Sequence, residues 1–490
     1  MKKIRVLILS LIILFTFSIP SYALDTTLPY ENYTFSESGS EIISGPQAYV
    51  PSKIIYGEKW DIGTLKEPTD FDVDSDGNIY ILDNGNNRVV FLDRNLNFKG
   101  SYSCNTLDEN GNEIVLNKAK GITVTESYIY ICDTDNKRIL IYNKADGTLS
   151  KTVNAPESSL LGDDFIFQPT KVAVDNKGNL YVVSNGTYEG IINMKASGEF
   201  QNFFASNSVT TSAWDLFWRR FSSSKIRKNM EQLVPQDFSS IELDNDGFFL
   251  ITTYTAVDSA MVKRVNQGGV NIIRSLSNVK ITGDQNKVYS GALAGNSSFC
   301  DISSGPDKLY ACLDKTRGKV YCYNNDGYLM YTFGTIASQY GGFASPVAIS
   351  YLDDYRIAVL DSSNGSLTVF ETTDYADAIN LGIKYQNALD YESAYKQWGS
   401  VLEMNGNYQI AQNMIGRACY NTGDYETAMK YFKACGNTEM YSDAREAIRM
   451  NYIYEYSWVA LSLVAIILIV VIARKAIRVA KKRKNPEMFR

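Results

Sequence analysis

Residues 67–103 read EPTDFDVDSDGNIYILDNGNNRVVFLDRNLNFKGSYS, and this stretch decides how the rest of the chain is interpreted. Short apolar segments alternate with polar turns that contain glycine, asparagine or aspartate. Inside each segment apolar and polar residues alternate with a period of two, which is typical of half-buried β-strands. The stretch therefore predicts a meander of antiparallel strands.

The same pattern recurs along the chain. Five related segments follow, and they begin at Lys118, Gln168, Gln236, about residue 298, and Ser345. Each holds three to four predicted strands in roughly 40–50 residues, the size of one propeller blade. We therefore predict a mainly β protein with a six-bladed β-propeller over residues 49–371. Tyr49–Gly57 is the expected closing strand of the blade that begins at Ser345.

Residues at fixed places in these segments resemble NHL repeats. The shared pattern is an Asp-x-x-Gly-Asn turn, a strand that ends in Asp, and a following strand that begins with Arg. The resemblance is closest in the first three blades and implies structural roles for Asp74, Gly77, Asp83, Arg88, Asp133, Arg138, Asp175 and Gly178.

Acids at positions 72, 74 and 76, before a glycine, also resemble the start of a calcium loop. A loop of the EF-hand kind needs flanking helices and a bidentate Glu at its last position, whereas these flanks alternate like strands. Asp74 recurs as Asp175 and Asp244, each three residues before a glycine. An Asp that bonds the backbone ahead, with Gly at positive φ, makes a tight turn. We interpret the stretch as a hairpin, with Asp72 and Asp76 as solvated extras and with no metal or cofactor.

Both ends of the chain carry apolar runs. Residues 1–23 have basic residues, an apolar run and Ser21-Tyr22-Ala23, which predicts a signal peptide cleaved after Ala23; an uncleaved anchor is the alternative. Residues 24–48 are expected to be a linker. Residues 456–473 contain no charge and are long enough for a transmembrane helix. Eight Lys and Arg residues in the tail, 474–490, place it in the cytoplasm. The protein is therefore expected in the plasma membrane as a single-pass protein with its bulk outside.

Between propeller and membrane, residues 374–452 show a helical pattern that repeats after 34 residues. The period resembles tetratricopeptide repeats, and the matching residues are Gly382, Ala394, Trp398, Gly416, Ala428 and Phe432. The resemblance implies paired helices that either bind a protein segment in a groove or hold the propeller off the bilayer. A second helical stretch, the insertion at 207–236, is amphipathic and basic. It either packs on the propeller or contacts lipid headgroups or a partner through Trp214, Phe217, Trp218, Phe221, Arg219 and Arg220.

Composition restricts the chemistry. The chain has no histidine, which excludes Ser-His-Asp triads, Cys-His dyads and imidazole metal sites. A net charge of −6 argues against a nucleic-acid partner. None of the seven cysteines forms a CxxC pair, but Cys312 and Cys322 flank a predicted hairpin, where a disulfide is one alternative.

No catalytic residue is assigned, and the predicted function is binding or scaffolding. A protein partner in a membrane complex is expected, with a carbohydrate ligand as a further candidate, because Tyr, present 34 times, suits both kinds of contact. Resemblance to anchored NHL proteins suggests an accessory role beside a transport complex. The alternative is a metal-dependent propeller hydrolase of the gluconolactonase type, although no matching ligand set is found. Propeller lyases of the amidating kind depend on histidines, which this chain lacks.

Overall fold

The computed structural model describes residues 28–484 except 40, 61, 108–110, 112, 159–160, 162–164, 188, 206–237, 256–259, 274–279, 285–294 and 354. The predicted signal peptide and the insertion at 207–236, with its aromatic and basic residues, lie outside the described residues.

Among the described residues, most strands form six blades, and β1–β2 and β8–β9 form two separate hairpins. Five blades have four strands and blade 4 has three, and blade 6 takes its last strand, β3, from the N-terminal side of the propeller. In chain order the strands are β1 (Asn32–Phe35), β2 (Ile42–Gly45), β3 (Tyr49–Tyr56), β4 (Asp70–Val73), β5 (Ile79–Asp83), β6 (Arg88–Leu92), β7 (Phe98–Ser103), β8 (Thr106–Leu107), β9 (Glu113–Ile114), β10 (Gly121–Val124), β11 (Tyr128–Asp133), β12 (Arg138–Asn143), β13 (Leu149–Asn154), β14 (Pro169–Val174), β15 (Asn179–Ser184), β16 (Ile191–Lys195), β17 (Phe200–Phe204), β18 (Phe238–Leu243), β19 (Phe249–Thr253), β20 (Val262–Val265), β21 (Phe299–Ser304), β22 (Tyr310–Asp314), β23 (Lys319–Tyr323), β24 (Leu329–Phe333), β25 (Pro346–Tyr351), β26 (Ile357–Asp361) and β27 (Ser366–Thr372).

Blades 1 to 6 have the strand orders β4–β7, β10–β13, β14–β17, β18–β20, β21–β24 and β25–β26–β27–β3. The first strand of each blade contacts the first strand of the next, and β25 contacts β4, so the ring is closed. The strand β3 pairs with β27 over Tyr49↔Thr372 to Tyr56↔Ser366. The predicted six-bladed propeller and its closing strand are thus confirmed.

The turn between β4 and β5 is built around Asp74. Its Oδ1 accepts the backbone N–H of Asp76 at 3.0 Å and of Asn78 at 2.8 Å, and Gly77 adopts φ +81°. The turns at Asp175 and Asp244 have the same hydrogen bonds. The quoted stretch is therefore a hairpin whose aspartate satisfies the turn backbone.

Residues 32–45, which the sequence places in a linker, form the hairpin β1–β2. The hairpin lies against β24, the outer strand of blade 5: the Tyr33 N–H donates to Thr332 Oγ1 at 3.3 Å, and the Thr332 N–H donates to Asn32 Oδ1 at 2.9 Å. The strands have only four residues each, so their periodicity is too short to be recognised, and their partner lies about 300 residues away.

Tyr33 anchors this hairpin in a buried polar cluster. Its hydroxyl donates to the carboxylate of Asp284 at 2.6 Å and accepts from Lys319 Nζ at 3.0 Å. Lys319 and Arg317 lie 3.5 and 3.7 Å from the same carboxylate. Burial lowers the pKa of Lys319, while Asp284 opposes that shift.

Tyr33→Phe is expected to lower the free energy of unfolding by about 1.5–3 kcal/mol, the usual range for hydrogen bonds to charged groups. Chemical denaturation and the rate of protease cleavage within residues 28–45 measure the effect. Tyr128→Phe is the control, since Tyr128 is 37 % exposed. Equal stability of the two variants would contradict the anchoring role.

Five helices follow the propeller: α1 (Asp374–Asn387), α2 (Tyr391–Met404), α3 (Gln409–Thr422), α4 (Tyr425–Cys435) and α5 (Thr438–Lys484). The hairpins α1–α2 and α3–α4 pack alike. A Cβ at Gly382 would lie 2.8 Å from the ring of Trp398, and one at Gly416 would lie 2.6 Å from the ring of Phe432. Ala394 and Ala428, each four residues before the aromatic residue on its helix, are fully buried. The assignment of these helices to tetratricopeptide repeats stays a prediction.

The helices α1 and α3 face the propeller. Tyr331 and Tyr408 donate to Asn380 Oδ1 and the Met330 carbonyl at 2.8 and 2.7 Å, and Arg417 forms an ion pair with Asp326 at 2.7 Å. One apolar core is continuous from blades 5 and 6 into the helices. The helical segment thus packs directly on blade 5, and β24 and the hairpin β1–β2 cover the face of α1 and α3.

The helix α5 continues from this core without interruption. Ala444 is fully buried, whereas every residue from Met450 to Trp458 is exposed or nearly so. Among the described residues, α5 is the helix that is long and apolar enough to cross a membrane. No Gly or Pro occurs between residues 438 and 484, so this helix lacks the residues at which helices most often kink.

All seven cysteines are free. Cys312 lies opposite Tyr321 and Cys322 lies opposite Ala311 in the β22–β23 pair. The two cysteine side chains therefore point to opposite faces of the sheet, and they belong to different apolar cores. The disulfide that the sequence left open does not form.

Candidate functional site

A central channel of about 620 Å³ runs between the first strands of the six blades. Its lining comes from the strands β4, β10, β14, β18, β21 and β25 and from the turns that follow them. A central cavity of this size is where propellers place binding or catalytic groups.

Lys171 links three blades across this channel. Its Nζ donates to Asp70 Oδ1 of blade 1 at 2.7 Å and to Asp301 Oδ1 of blade 5 at 2.9 Å. Ser240 of blade 4 donates to the same Asp301 oxygen at 2.7 Å. Since the Lys171 side chain is only 15 % exposed, this network is a buried link between blades that are not adjacent in the ring.

The channel carboxylates also satisfy the open edges of neighbouring strands. Asp70 Oδ2 and Asp72 Oδ2 accept the N–H groups of Ile122 and Val124 on blade 2, at 2.8 and 2.7 Å. In the same way, Asp301 accepts from Ile349 of blade 6 at 2.9 Å, and Glu242 from Ser304 of blade 5 at 2.9 Å. The first strand of each blade would otherwise present unpaired N–H groups. These acids therefore bridge blades.

The prediction that Asp72 is a solvated extra is wrong. The Asp72 carboxylate accepts two backbone hydrogen bonds, one from the N–H of Val124 and one from the N–H of Val73 at 2.8 Å. Asp76 is exposed, as expected. The difference arises because Asp72 lies on the strand that faces the channel, whereas Asp76 lies at the tip of the turn.

Burial raises the pKa of the channel acids. Burial raises the pKa of Asp72 to about 6, although hydrogen bonds from two backbone N–H groups lower it. Burial raises the pKa of Asp70 to about 7, although the charge of Lys171 lowers it. Burial raises the pKa of Glu242 well above its usual range, and the charge of Asp72 adds to this. Within the described residues, Glu242 accepts a hydrogen bond from the Ser304 backbone and none from a cation, so it is the acid best suited to hold a proton at neutral pH.

Glu242→Gln is expected to change the pH dependence of stability. Because the folded-state pKa of Glu242 is raised, its stabilising effect is present below the unfolded-state pKa of about 4.3 and is lost as pH rises through the folded value. Glutamine keeps the acceptor for Ser304 and cannot ionise. The variant should match the wild type within about 1 kcal/mol near pH 5 and gain relative stability towards alkaline pH, measured by denaturation at a series of pH values.

Asp301→Asn is the comparison for that experiment. It removes a charged partner of Lys171 and should destabilise the protein at neutral and alkaline pH, where Glu242→Gln is expected to gain relative stability. A Glu242→Gln variant with an unchanged pH slope would show that Glu242 is already ionised in the wild type.

Other predicted residues lie away from the channel centre. Asp83 and Arg88 form an ion pair at 2.7 Å, and Asp133 and Arg138 form one at 2.8 Å. Asp83 Oδ1 also accepts the Lys66 N–H at 2.7 Å. Each aspartate thus fixes the loop that leads into its own blade, which is a structural contact.

Sequence reasoning missed Lys171, Glu242 and Asp301. The strand register could have identified Lys171 and Asp301. Both occupy the same position on the first strand of their blades as Asp70 does, opposite the next-to-last residue of the second strand. Within the part of the chain that the structure describes, no three His, Cys, Asp or Glu side chains are grouped to hold a metal ion.

Comparison with known proteins identifies one repeat. The family described as NHL repeat matches residues 65–90, which include the Asp74 turn and the Asp83–Arg88 pair. No curated protein sequence matches the chain. The fold and this match together define a six-bladed β-propeller that carries an NHL repeat, a fold that supports protein binding or scaffolding at a general level.

Several solved structures resemble the chain loosely. Virginiamycin B lyase from Staphylococcus aureus is 12% identical, with a TM-score of 0.39 over 65% of this chain and 98% of that one. Kuenenia stuttgartiensis hydrazine synthase is 11% identical, with a TM-score of 0.38 over 63% and 96%. A Bacteroides thetaiotaomicron protein of unknown function is 13% identical, with a TM-score of 0.40 over 70% and 76%.

Proposed function

We propose that this protein is a membrane-anchored, non-catalytic binding protein that presents its propeller outside the plasma membrane. The observation that carries the proposal is the unbroken connection from blade 5 through the helices into α5. Tyr456 lies twelve residues after Ala444, a rise of about 18 Å along a helix. We call the helices α1 to α4 with the start of α5, residues 374–456, the bracket. The bracket sets the height and the orientation of the channel mouth relative to the membrane.

The bracket has no free groove on its α1–α3 side, because blade 5 and the hairpin β1–β2 occupy that face. This favours the propeller as the surface that meets a partner. The partner we propose is a protein of a membrane complex, such as a transport complex, with the basic tail after residue 473 on the cytoplasmic side.

A photoreactive amino acid at Ser75, an exposed turn residue at the channel mouth, tests this proposal in the full chain in its own membrane. We expect a discrete protein adduct from this position. The matched control is the same amino acid at Glu392, whose side chain is 83% exposed on α2. No adduct at either position, or equal adducts at both, would count against a specific partner at the propeller mouth.

The raised pKa values of Asp72 and Glu242 favour a second candidate, a hydrolase that uses channel carboxylates. Assaying the purified full chain on simple lactones, with and without added divalent cations, separates the two. Turnover that Asp72→Asn abolishes while the fold is retained would replace the binding proposal.

A further inference from the structure

The helix α5 leaves the protein core within a few residues. Ala444 is fully buried in the core that the helices share with blades 5 and 6, and Ile448 is half-buried. Every residue from 449 to 458 is exposed. Packing of α5 against the rest of the bracket therefore ends at Ile448.

Apolar and aromatic side chains follow directly after this point. Met450, Tyr452, Ile453, Tyr454 and Tyr456 are 52–86% exposed. Because successive residues of an α-helix are about 100° apart around its axis, these side chains lie on all sides of α5. A helix that is apolar all round is typical of a buried or lipid-surrounded environment and is unfavourable in water. This part of α5 therefore needs a cover that surrounds it.

The length of the apolar run shows where the bilayer begins. The uncharged residues 456–473 rise about 27 Å as a helix, less than the hydrocarbon core of about 30 Å. Twenty residues that end at Ala473 begin at Tyr454 and rise about 30 Å. Residues 450–453 add about 6 Å, the thickness of one headgroup layer. The outer surface of the bilayer then lies at Arg449, next to the end of the packed helices.

The residue types agree with this depth. Tyr and Trp are enriched where a helix passes from water into a membrane, and Tyr452, Tyr454, Tyr456 and Trp458 are grouped at this level. Glu455 is the only charged residue from 450 to 473. It lies at the edge of the hydrocarbon core, far from the bilayer centre where a charge costs most.

We infer that the bracket rests on the bilayer surface, with residues 450–453 in the lipid headgroup layer and the hydrocarbon core beginning near Tyr454. The partner of this part of α5 is lipid. The inference rests on the proposed membrane anchoring and adds the depth at which the chain sits. The height of the propeller above the bilayer is then set by the packed helices, since no stem of α5 stands in water between them and the membrane.

The test places single cysteines in the full chain, reconstituted in vesicles of phosphatidylethanolamine and phosphatidylglycerol, and measures their labelling by a membrane-impermeant maleimide. The wild type gives the background of the native cysteines, which are buried or half-buried. Glu446→Cys is the exposed reference, since the Glu446 side chain is 63% exposed. Tyr452→Cys and Tyr454→Cys should react at least about tenfold more slowly, because lipid shields both positions.

The two tyrosine positions lie on nearly opposite sides of α5, so they distinguish lipid from protein. Protection of only one of them would indicate a second copy or another protein on one face and would overturn the inference, as would labelling of Tyr454→Cys at the rate of Glu446→Cys. Val464→Cys, in the middle of the uncharged run, separates the two proposals. If it alone is protected, only the depth is wrong, whereas its labelling would also refute the membrane anchoring.

Discussion

Trp398→Ala is expected to lower the free energy of unfolding of the helical segment by about 3–5 kcal/mol, the usual cost of truncating a buried aromatic side chain. Trp398 is fully buried, and its ring packs directly against Gly382. No side chain is available at Gly382 to fill the resulting cavity. Thermal or chemical unfolding of the full chain measures the loss.

Tyr395→Ala on the same helix is the matched control, since Tyr395 is 41% exposed. Because Trp398 shares one core with blades 5 and 6, its loss should also speed proteolysis between the propeller and α1. If the two variants lose equal stability, the helical pair is not held together by the Trp398 contact.

Lys171→Met is expected to cost about 3–5 kcal/mol near neutral pH, because it leaves Asp70 and Asp301 buried without their shared cation. Their side chains are 1% and 5% exposed. The loss should shrink as pH falls through about 7, since a protonated Asp70, whose pKa is already raised to about 7 by burial, needs no counter-charge. Denaturation of both proteins at several pH values measures it.

Lys195→Met is the control from the same blade. The Lys195–Glu199 pair is 49% and 60% exposed, and such pairs contribute about 1 kcal/mol or less. A loss in Lys171→Met that equals the control, or that does not vary with pH, would show that the lysine does not link the channel blades.

The local features of the fold were predictable from the sequence. The turn aspartates, the alternating strands and the closing strand Tyr49–Tyr56 all appear where the pattern placed them. The turns and strands depend on contacts within a single blade, and the closing strand depends on its pairing with the last strand of blade 6. The apolar helix α5 was equally predictable, because its length and the lack of charge in its apolar part can be seen directly in the sequence.

The channel was not predictable in the same way. In the sequence, Lys171 looks like an ordinary basic residue of a strand. Its role as the shared partner of Asp70 and Asp301 becomes visible only in the folded ring, where blades 1, 3 and 5 meet around one axis. Asp72 reads as a turn acid and proves to bridge blades. The hairpin β1–β2 was not recognised because its strands have only four residues each and because part of its contacts come from blade 5 and α3, which lie far away in the sequence.

The sequence by itself determined the number of blades, the chemistry of their turns, the repeated helical pair and the apolar helix, because these follow from periodicity over a few residues. Only the tertiary structure decided which charges are buried together and which helical face is covered. Those outcomes depend on side chains that are far apart in the chain, and no local pattern encodes their distances.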